Sequence, residues 1–187
     1  MSAFNQRIQP IRDLMKAKGL DAFVLRRNPN LAWAIAGRAH VPTTIDAACF
    51  DLIITHDSAT AVTNVVEAPR LIAEELPSDV NVKTIKWSEG RDSQLPTGAK
   101  VGSDQPGADR IDLGTEIEII RASLIEADVE RFKKICIDAA VALGNAMKHV
   151  VSSDREIDVA GLITHALWQA DLEIAFLGVA GQERVHK

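Results

Sequence analysis

Apolar residues that recur every three or four positions predict a helix at the start of the chain. The residues on its apolar face are Phe4, Ile8, Ile11 and Met15. Gly19 follows two lysines and is the expected stop of this helix, because glycine readily adopts the left-handed conformation that ends helices. A short apolar strand over residues 22–25 comes next, and a second helix is predicted over residues 30–36, ended by Gly37.

The next segment reads as strands joined by turns. Residues 48–55 and 60–66 are apolar runs separated by a turn signal, which predicts an antiparallel hairpin. A short helix is expected over residues 69–76, and residues 80–87 alternate as a strand. The strand residues expected to be buried are Val80, Val82, Ile85 and Trp87, and core packing is likewise the expected role of Trp33.

The pattern changes after a stretch rich in Gly, Pro, Asp and Ser that covers residues 88–114 and includes one short strand at 100–103. A domain boundary is therefore placed at residue 112. Two amphipathic helices follow, the second capped by Ser153 or Asp154. The apolar positions are Val129, Phe132, Cys136, Ala139 or Ala140, Leu143, Met147 and Val150 in the first helix and Ile157, Ala160, Thr164, Leu167 and Trp168 in the second.

Only one candidate strand, residues 174–179, follows the two helices. Because apolar helix faces must pack against another layer, these helices are expected to need a partner that the chain does not contain.

Composition and charge narrow the classes of function. With 47% hydrophobic and 25% charged residues, the chain is typical of a folded globular protein. Its net charge of -5 argues against nucleic-acid and membrane-surface partners, which attract basic proteins. The sequence has no secretory signal pattern and no apolar run of the roughly 18 residues that a membrane span needs, so a cytoplasmic location is predicted.

A search for catalytic motifs finds no phosphate loop, dinucleotide fingerprint, nucleophile elbow or zinc-binding H-E-x-x-H helix. Cys49 and Cys136 lie far apart and are interpreted as two buried thiols. The acidic residues near 126–130 and 154–158 are interpreted as helix starts, where negative charge suits the helix dipole.

One loop carries candidate binding residues. Arg38 and His40 follow Gly37 and precede Pro42, so a cation and an imidazole lie beside a glycine-ended helix. Such a loop is suited to holding a substrate carboxylate, because loops on rigid elements often carry binding residues and arginine pairs well with carboxylates. The alternative is an ordinary solvated polar loop.

Three stretches together resemble the creatinase and prolidase superfamily, the pita-bread metallopeptidases that include Xaa-Pro aminopeptidases and Xaa-Pro dipeptidases. The stretches are RIQPIRDLMKAKGLDAFVLRRNPNLAWAIAG, IIRASLIEADVERFKKICIDAA and SSDREIDVAGLITHALWQADLEI. In the third, Glu156 matches the Glu of the family's Gly-x-Thr-Glu signature, while Asp154 and Arg155 stand where Gly and Thr are usual.

The resemblance implies an α/β fold. Residues 1–112 are expected to form a creatinase/prolidase N-terminal domain, ribonuclease-H-like with a mixed sheet. Residues 113–187 are expected to begin a pita-bread α+β catalytic domain and to leave it incomplete.

The resemblance also implies a function. The complete enzyme would hydrolyse peptides with proline after the first residue, using two divalent metal ions, manganese, cobalt or zinc, and would act as a homodimer on a small peptide or amide substrate. The metal ligands are expected beyond this chain, so no catalytic residue or metal ligand is assigned within it. Arg38, His40 and His186 are the candidate substrate-binding residues, because they resemble family positions near the substrate.

Two alternatives remain open at this point. Relatives of the pita-bread fold that lack metal ligands serve as peptide-binding or protein-binding modules, and this chain would then be a non-catalytic binding or dimerisation module. The metal fold also hosts several chemistries, so a creatinase-like hydrolase of small amides is a further candidate.

Overall fold

The structure is a computed structural model that describes residues 1–39, 46–181 and 184–185. His40 and His186, two of the three candidate binding residues, lie outside the described residues. The chain divides into two compact units, Met1–Ile125 and Glu126–Lys187.

A six-stranded mixed sheet forms the centre of the first unit. The strands are β1 (Ala22–Arg27), β2 (Ala47–Thr55), β3 (Ala59–Asn64), β4 (Asn81–Ile85), β5 (Val101–Ser103) and β6 (Arg110–Asp112). Their order across the sheet is β4-β3-β2-β1-β5-β6. Strand β2 is antiparallel to both of its neighbours, β1 and β3, and the other neighbouring strands are parallel. The antiparallel pair of β2 and β3 confirms the predicted hairpin.

Among the described residues of the first unit, a short 3-10 helix (Arg91–Gln94) and four α-helical segments accompany the sheet. The α-helical segments are α1 (Ala3–Lys18), α2 (Asn28–Ile35), α3 (Ala68–Arg70), which continues into a π-helical turn at Leu71–Glu75, and α4 (Gly114–Arg121). The predicted apolar face of α1 is confirmed, since Phe4, Ile8, Ile11 and Met15 are all buried. Gly19 adopts the left-handed conformation with φ 60° and donates its N–H to the Lys16 carbonyl, as expected for a helix stop.

The main core lies on one face of the sheet. Side chains from α1, α2 and α4 pack there against strand residues of alternating position, such as Phe23, Phe50 and Leu52. A smaller apolar cluster on the opposite face contains Val24, Ile53 and Val62, with Leu95 and Ala99 packed against it. Trp33 is half-buried against the main core, as predicted.

Several details of the first unit differ from the sequence prediction. Trp87 is 81% exposed, because β4 ends at Ile85 and Trp87 lies beyond the paired residues. Helix α2 ends at Ile35, one residue before Ala36, which takes the left-handed conformation expected of Gly37. The short elements β6 and α4 were not predicted as such; α4 packs Ile117 into the core of the first unit.

The second unit contains α5 (Glu126–Met147) and α6 (Glu156–Gln169), close to the two predicted helices. Arg155, instead of Ser153 or Asp154, is the N-cap residue of α6, and its side chain and backbone both contact the Asp158 carboxylate. Ile163 is buried, whereas Ile157 and Trp168 are 68% and 59% exposed. Ile157 and Trp168, which belong to the predicted inward face of α6, are therefore not covered by the described residues of this chain.

The segment after α6 also differs from the prediction. Residues 174–179 form no strand, because no strand is present among the described residues of this unit to pair with them. Cys136 is exposed on α5, so the prediction of a buried thiol is wrong there. In the described parts of the chain, no helix has both the length and the apolarity to span a membrane.

Candidate functional site

The predicted binding residue Arg38 lies just beyond the C-terminus of α2. Ala36 ends this helix with a φ of 55°, a left-handed conformation that costs a non-glycine residue about 1 to 2 kcal/mol. Arg38 is exposed, while the following Ala39 is fully buried in the main core. The charged Arg38 side chain is therefore exposed between Ala36, which has a left-handed backbone conformation, and the buried residue Ala39.

Glu75 contacts this segment from the end of the π-helical turn. One Glu75 carboxylate oxygen, Oε2, accepts the Arg38 backbone N–H at 2.6 Å. A Cβ built on Gly37 would lie 3.0 Å from both this oxygen and the Glu75 carbonyl oxygen, closer than ordinary van der Waals contact. The absence of a side chain at Gly37 thus permits the close approach of Glu75.

Cys49 forms hydrogen bonds with Ala39, the residue that follows Arg38. The Ala39 carbonyl accepts the Cys49 backbone N–H at 3.2 Å and its thiol at 3.3 Å. Burial, followed by the negative charge of Glu67, raises the pKa of the Cys49 thiol, against the opposing effect of Arg70. The thiol is therefore protonated near neutral pH and is able to donate to the carbonyl.

Arg70 connects these groups. Its guanidinium lies 3.4 Å from Glu75 Oε1 and 3.0 Å from Glu67 Oε2, and it approaches the Cys49 sulfur at 3.7 Å. We call Cys49, Arg70 and Glu75 the Arg38 clamp. No sequence signal indicates this cluster, because its members come from β2, α3 and the π-helical turn, up to 37 residues from Arg38.

A second polar region lies where the parallel strands β1, β5 and β6 end. An open cavity of about 460 Å³ is lined there mainly by polar and charged residues, including Arg27, Asp46, Asp104 and Glu118. Arg27 pairs with Asp46 at 3.1 Å and with Glu118 at 3.4 Å. The Asp46 and Glu118 carboxylates are therefore both neutralised by the Arg27 guanidinium, which lines the same cavity.

Asp104 fixes the floor of this cavity. It is 2% exposed and accepts the backbone N–H groups of Arg26 and Arg27 at 2.9 and 3.1 Å and the Asn30 side-chain amide at 2.8 Å. Burial raises the pKa of Asp104 in spite of these hydrogen bonds. Its contacts join the end of β1 to the start of α2, which makes it a structural residue of the junction.

In the second unit, Glu156 contacts the segment that follows α6. Its carboxylate accepts the Gly181 backbone N–H at 2.9 Å and pairs with Arg184. The residue that the family resemblance singled out therefore ties the start of α6 to the last described residues.

The structure thus places Arg38 in a defined clamp, and leaves His40 and His186 outside the described residues. Across residues 1–39, 46–181 and 184–185 there is no group of three or more His, Cys, Asp or Glu side chains arranged to hold a metal ion. None of the described residues is assigned as a metal ligand.

Comparisons with solved structures match most of this chain at the level of fold. Neither the protein-family models nor the curated proteins give a match. Among solved structures, a prolidase from Pyrococcus horikoshii OT3 aligns with a TM-score of 0.68 at 18% identity, over 88% of this chain and 49% of that one.

Two further structures give the same picture. A Xaa-Pro dipeptidase from Bacillus anthracis aligns with a TM-score of 0.66 at 12% identity, over 89% of this chain and 49% of its own. An X-Pro aminopeptidase from Thermotoga maritima MSB8 aligns with a TM-score of 0.61 at 14% identity, over 87% and 49% of the two chains.

The chain spans about half the length of these proteins. The matches confirm the α/β fold with a mixed sheet that the sequence resemblance predicted. The chain therefore has the fold of about half of these prolidase, Xaa-Pro dipeptidase and X-Pro aminopeptidase structures.

Proposed function

We propose that this chain is the N-terminal portion of a metal-dependent hydrolase that cleaves peptides with proline after the first residue. The observation that carries the proposal is the match of 87 to 89% of this chain to about half of solved prolidase, dipeptidase and aminopeptidase structures. Residues 1–112 are proposed as the N-terminal domain, and residues 113–187 as the beginning of the catalytic domain.

The surface of the second unit supports an incomplete domain. Large apolar side chains are exposed on α5 and α6, and a large exposed apolar surface is typical of a face that packs against another domain or protein. They are Phe132, Ile135, Ile137, Val141, Leu143, Met147, Ile157 and Trp168. We propose that the remaining half of the relatives' fold covers them, as a continuation of the same polypeptide.

In this proposal the metal ions belong to the covering half. Two divalent ions, manganese, cobalt or zinc, would activate water and polarise the scissile carbonyl. This chain alone is proposed to be inactive. Its proposed contribution is to position the substrate through the Arg38 loop, the residues that follow α2 and include the candidate binding residues Arg38 and His40. The proposal also includes a homodimer, in which that loop faces a substrate held by the other subunit, and a cytoplasmic location.

Two other functions are weighed against this one. A non-catalytic peptide-binding or dimerisation module has the same fold but no metal ligands, and the absence of catalytic motifs from this sequence is compatible with it. A creatinase-like hydrolase of small amides would keep the metal chemistry with a different substrate.

Sequencing the gene downstream of codon 187 separates the first two functions. The resemblance to the creatinase and prolidase superfamily implies metal ligands of two Asp, one His and two Glu, so a reading frame that continues into a domain with this set supports the hydrolase. A stop codon at that position supports the binding module. Calorimetry adds a second test, since tight stoichiometric manganese binding by residues 1–187 alone would contradict the assignment of the ligands to the other half.

A further inference from the structure

We propose that Glu75 is a positioning residue that holds the Arg38 backbone, so that the exposed Arg38 side chain is preset to bind the carboxylate of a peptide substrate. The inference rests on the proposed function, because it names how this chain would contact that substrate. Its structural part concerns only residues of the first unit and is testable without activity.

The backbone on both sides of the Arg38 side chain is restrained. Glu75 accepts the Arg38 N–H at 2.6 Å, and Cys49 donates to the Ala39 carbonyl from its backbone and its thiol. Ala39 is fully buried, whereas Arg38 is exposed. The exposed residue therefore emerges from a backbone that is fixed at the points before and after its Cα.

The local structure around Glu75 favours a specific role. Glu75 is the last residue of the π-helical turn Leu71–Glu75, a rare conformation that is frequent at functional sites. Leu71 anchors the start of this turn in the core, and Arg70 pairs with the Glu75 carboxylate. The π-helical turn thus places the Glu75 carboxylate, which is also paired with Arg70, beside the Arg38 backbone N–H.

A restrained backbone is useful for binding a carboxylate. The planar guanidinium of arginine forms two parallel hydrogen bonds with a carboxylate, and this geometry tolerates little misalignment. Holding the Arg38 backbone in advance reduces the conformational entropy that is lost when the substrate binds. Glu75 would therefore increase affinity for the substrate without touching it.

The first test measures hydrogen exchange at the Arg38 amide by nuclear magnetic resonance in the 187-residue chain. Glu75→Ala is expected to increase the exchange rate of this amide about tenfold or more, because a charge-assisted hydrogen bond is lost. Glu75→Gln retains a side-chain oxygen acceptor and is expected to restore much of the protection. The matched control is Glu74→Ala, which removes the same charge from an exposed position one residue earlier.

The second test uses the natural-length polypeptide and a dipeptide with proline in the second position. Glu75→Ala is expected to raise KM about tenfold with kcat little changed, because it acts on substrate binding. In an Arg38→Ala background the same substitution is expected to change KM less than twofold, since the positioned group is absent. Glu74→Ala is expected to leave both constants unchanged.

Three outcomes overturn the proposal. The first is an unchanged Arg38 exchange rate in a folded Glu75→Ala variant, and the second is an equal KM increase with and without Arg38. If Glu75→Ala fails to fold, Glu75→Met, which keeps a side chain of similar length but has no oxygen acceptor, replaces it in the cycle, and an unchanged KM together with unchanged Arg38 exchange in that variant is the third. A wild-type protein with no hydrolysis refutes the proposed function and Arg38's substrate role, whereas the exchange result still decides whether Glu75 holds the amide.

Discussion

The Asp51 carboxylate and the Arg26 guanidinium form an ion pair of 2.7 Å between the adjacent strands β2 and β1, with 2% of the Asp51 side chain exposed. Arg91 adds a second ion pair to Asp51 at 3.2 Å and donates to the Ala48 carbonyl. These contacts connect the sheet to the segment that covers its smaller apolar cluster. Burial is the main influence on the pKa of Asp51 and raises it, while Arg91 and Arg26 oppose the shift.

A raised folded-state pKa predicts how Asp51 affects stability with pH. The unfolded chain loses the Asp51 proton first, so between the two pKa values the folded state binds more protons. The contribution of Asp51 is therefore complete below its unfolded pKa and falls as pH rises through the folded value. We expect the free energy of unfolding of the wild type, minus that of Asp51→Asn, to decrease as pH rises from about 4, the ordinary pKa of Asp.

Urea unfolding at a series of pH values measures this difference. Asp104 also has a raised pKa, but it is present in both proteins and its effect cancels. Asp109→Asn is the matched control, because Asp109 is exposed. A difference that stays constant or grows with pH would show that the Asp51 pKa is not raised in the folded state.

Replacement of Asp104 is expected to be strongly destabilising. Asp104→Ala leaves the part-buried backbone N–H groups of Arg26 and Arg27 and the buried Asn30 side-chain amide without their acceptor. Each such loss costs about 1 to 3 kcal/mol, so three losses are expected to lower the free energy of unfolding by about 3 kcal/mol or more. Chemical denaturation checks this value, with Asp109→Ala expected to lie within about 0.5 kcal/mol of the wild type. Equal stability of the two variants would argue against the role of Asp104 as a junction residue.

Ala36 offers a stabilising substitution. The left-handed φ of 55° at Ala36 is sterically unfavourable for alanine but not for glycine, which has no Cβ. We therefore expect Ala36→Gly to raise the free energy of unfolding by about 1 kcal/mol. Ala32 lies inside α2, where the same substitution is expected to lower stability by about 1 kcal/mol. Thermal unfolding of the two variants distinguishes the signs. A loss of stability in both would contradict the left-handed conformation at Ala36.

The exposed apolar surface of α5 gives a prediction that depends on chain length. Ile137 is 62% exposed in this chain, so Ile137→Gln is expected to change its stability by less than about 0.5 kcal/mol. In the natural-length polypeptide, where we propose that this surface is covered, the same substitution is expected to cost about 2 kcal/mol or more. Ile163→Ala, at a buried position, is expected to destabilise both forms. Equal small effects of Ile137→Gln in both forms would contradict a covering domain.

The sequence predicts those features of the fold that depend on local pattern. The spacing of Phe4, Ile8, Ile11 and Met15 identifies α1, and Gly19 marks its end, because both signals act within a few residues. The three-residue strand Arg110–Asp112 is too short for an alternation to be recognised, and it lies in a Gly- and Pro-rich segment. Trp87 shows a related limit, since β4 ends before the residue that continues its pattern.

The candidate site was predictable only in part. Arg38 is indicated by its position after a helix, and the family resemblance supports it. Glu75 and Cys49 are not indicated, because they reach Arg38 through strand pairing and the π-helical turn, which no local sequence pattern encodes. The exposed face of α5 was predicted to need a partner, and the structure leaves this face exposed within the described chain.

Hydrolysis of a Xaa-Pro dipeptide by the natural-length polypeptide is the most direct test of the proposed function. The assay compares a dipeptide with proline second and its reversed sequence, with manganese and with a chelator in excess. We expect cleavage of the Xaa-Pro peptide only, loss of this cleavage on chelation, and no cleavage by residues 1–187 alone. Peptide binding without cleavage under any metal condition would contradict the hydrolase and favour the binding module.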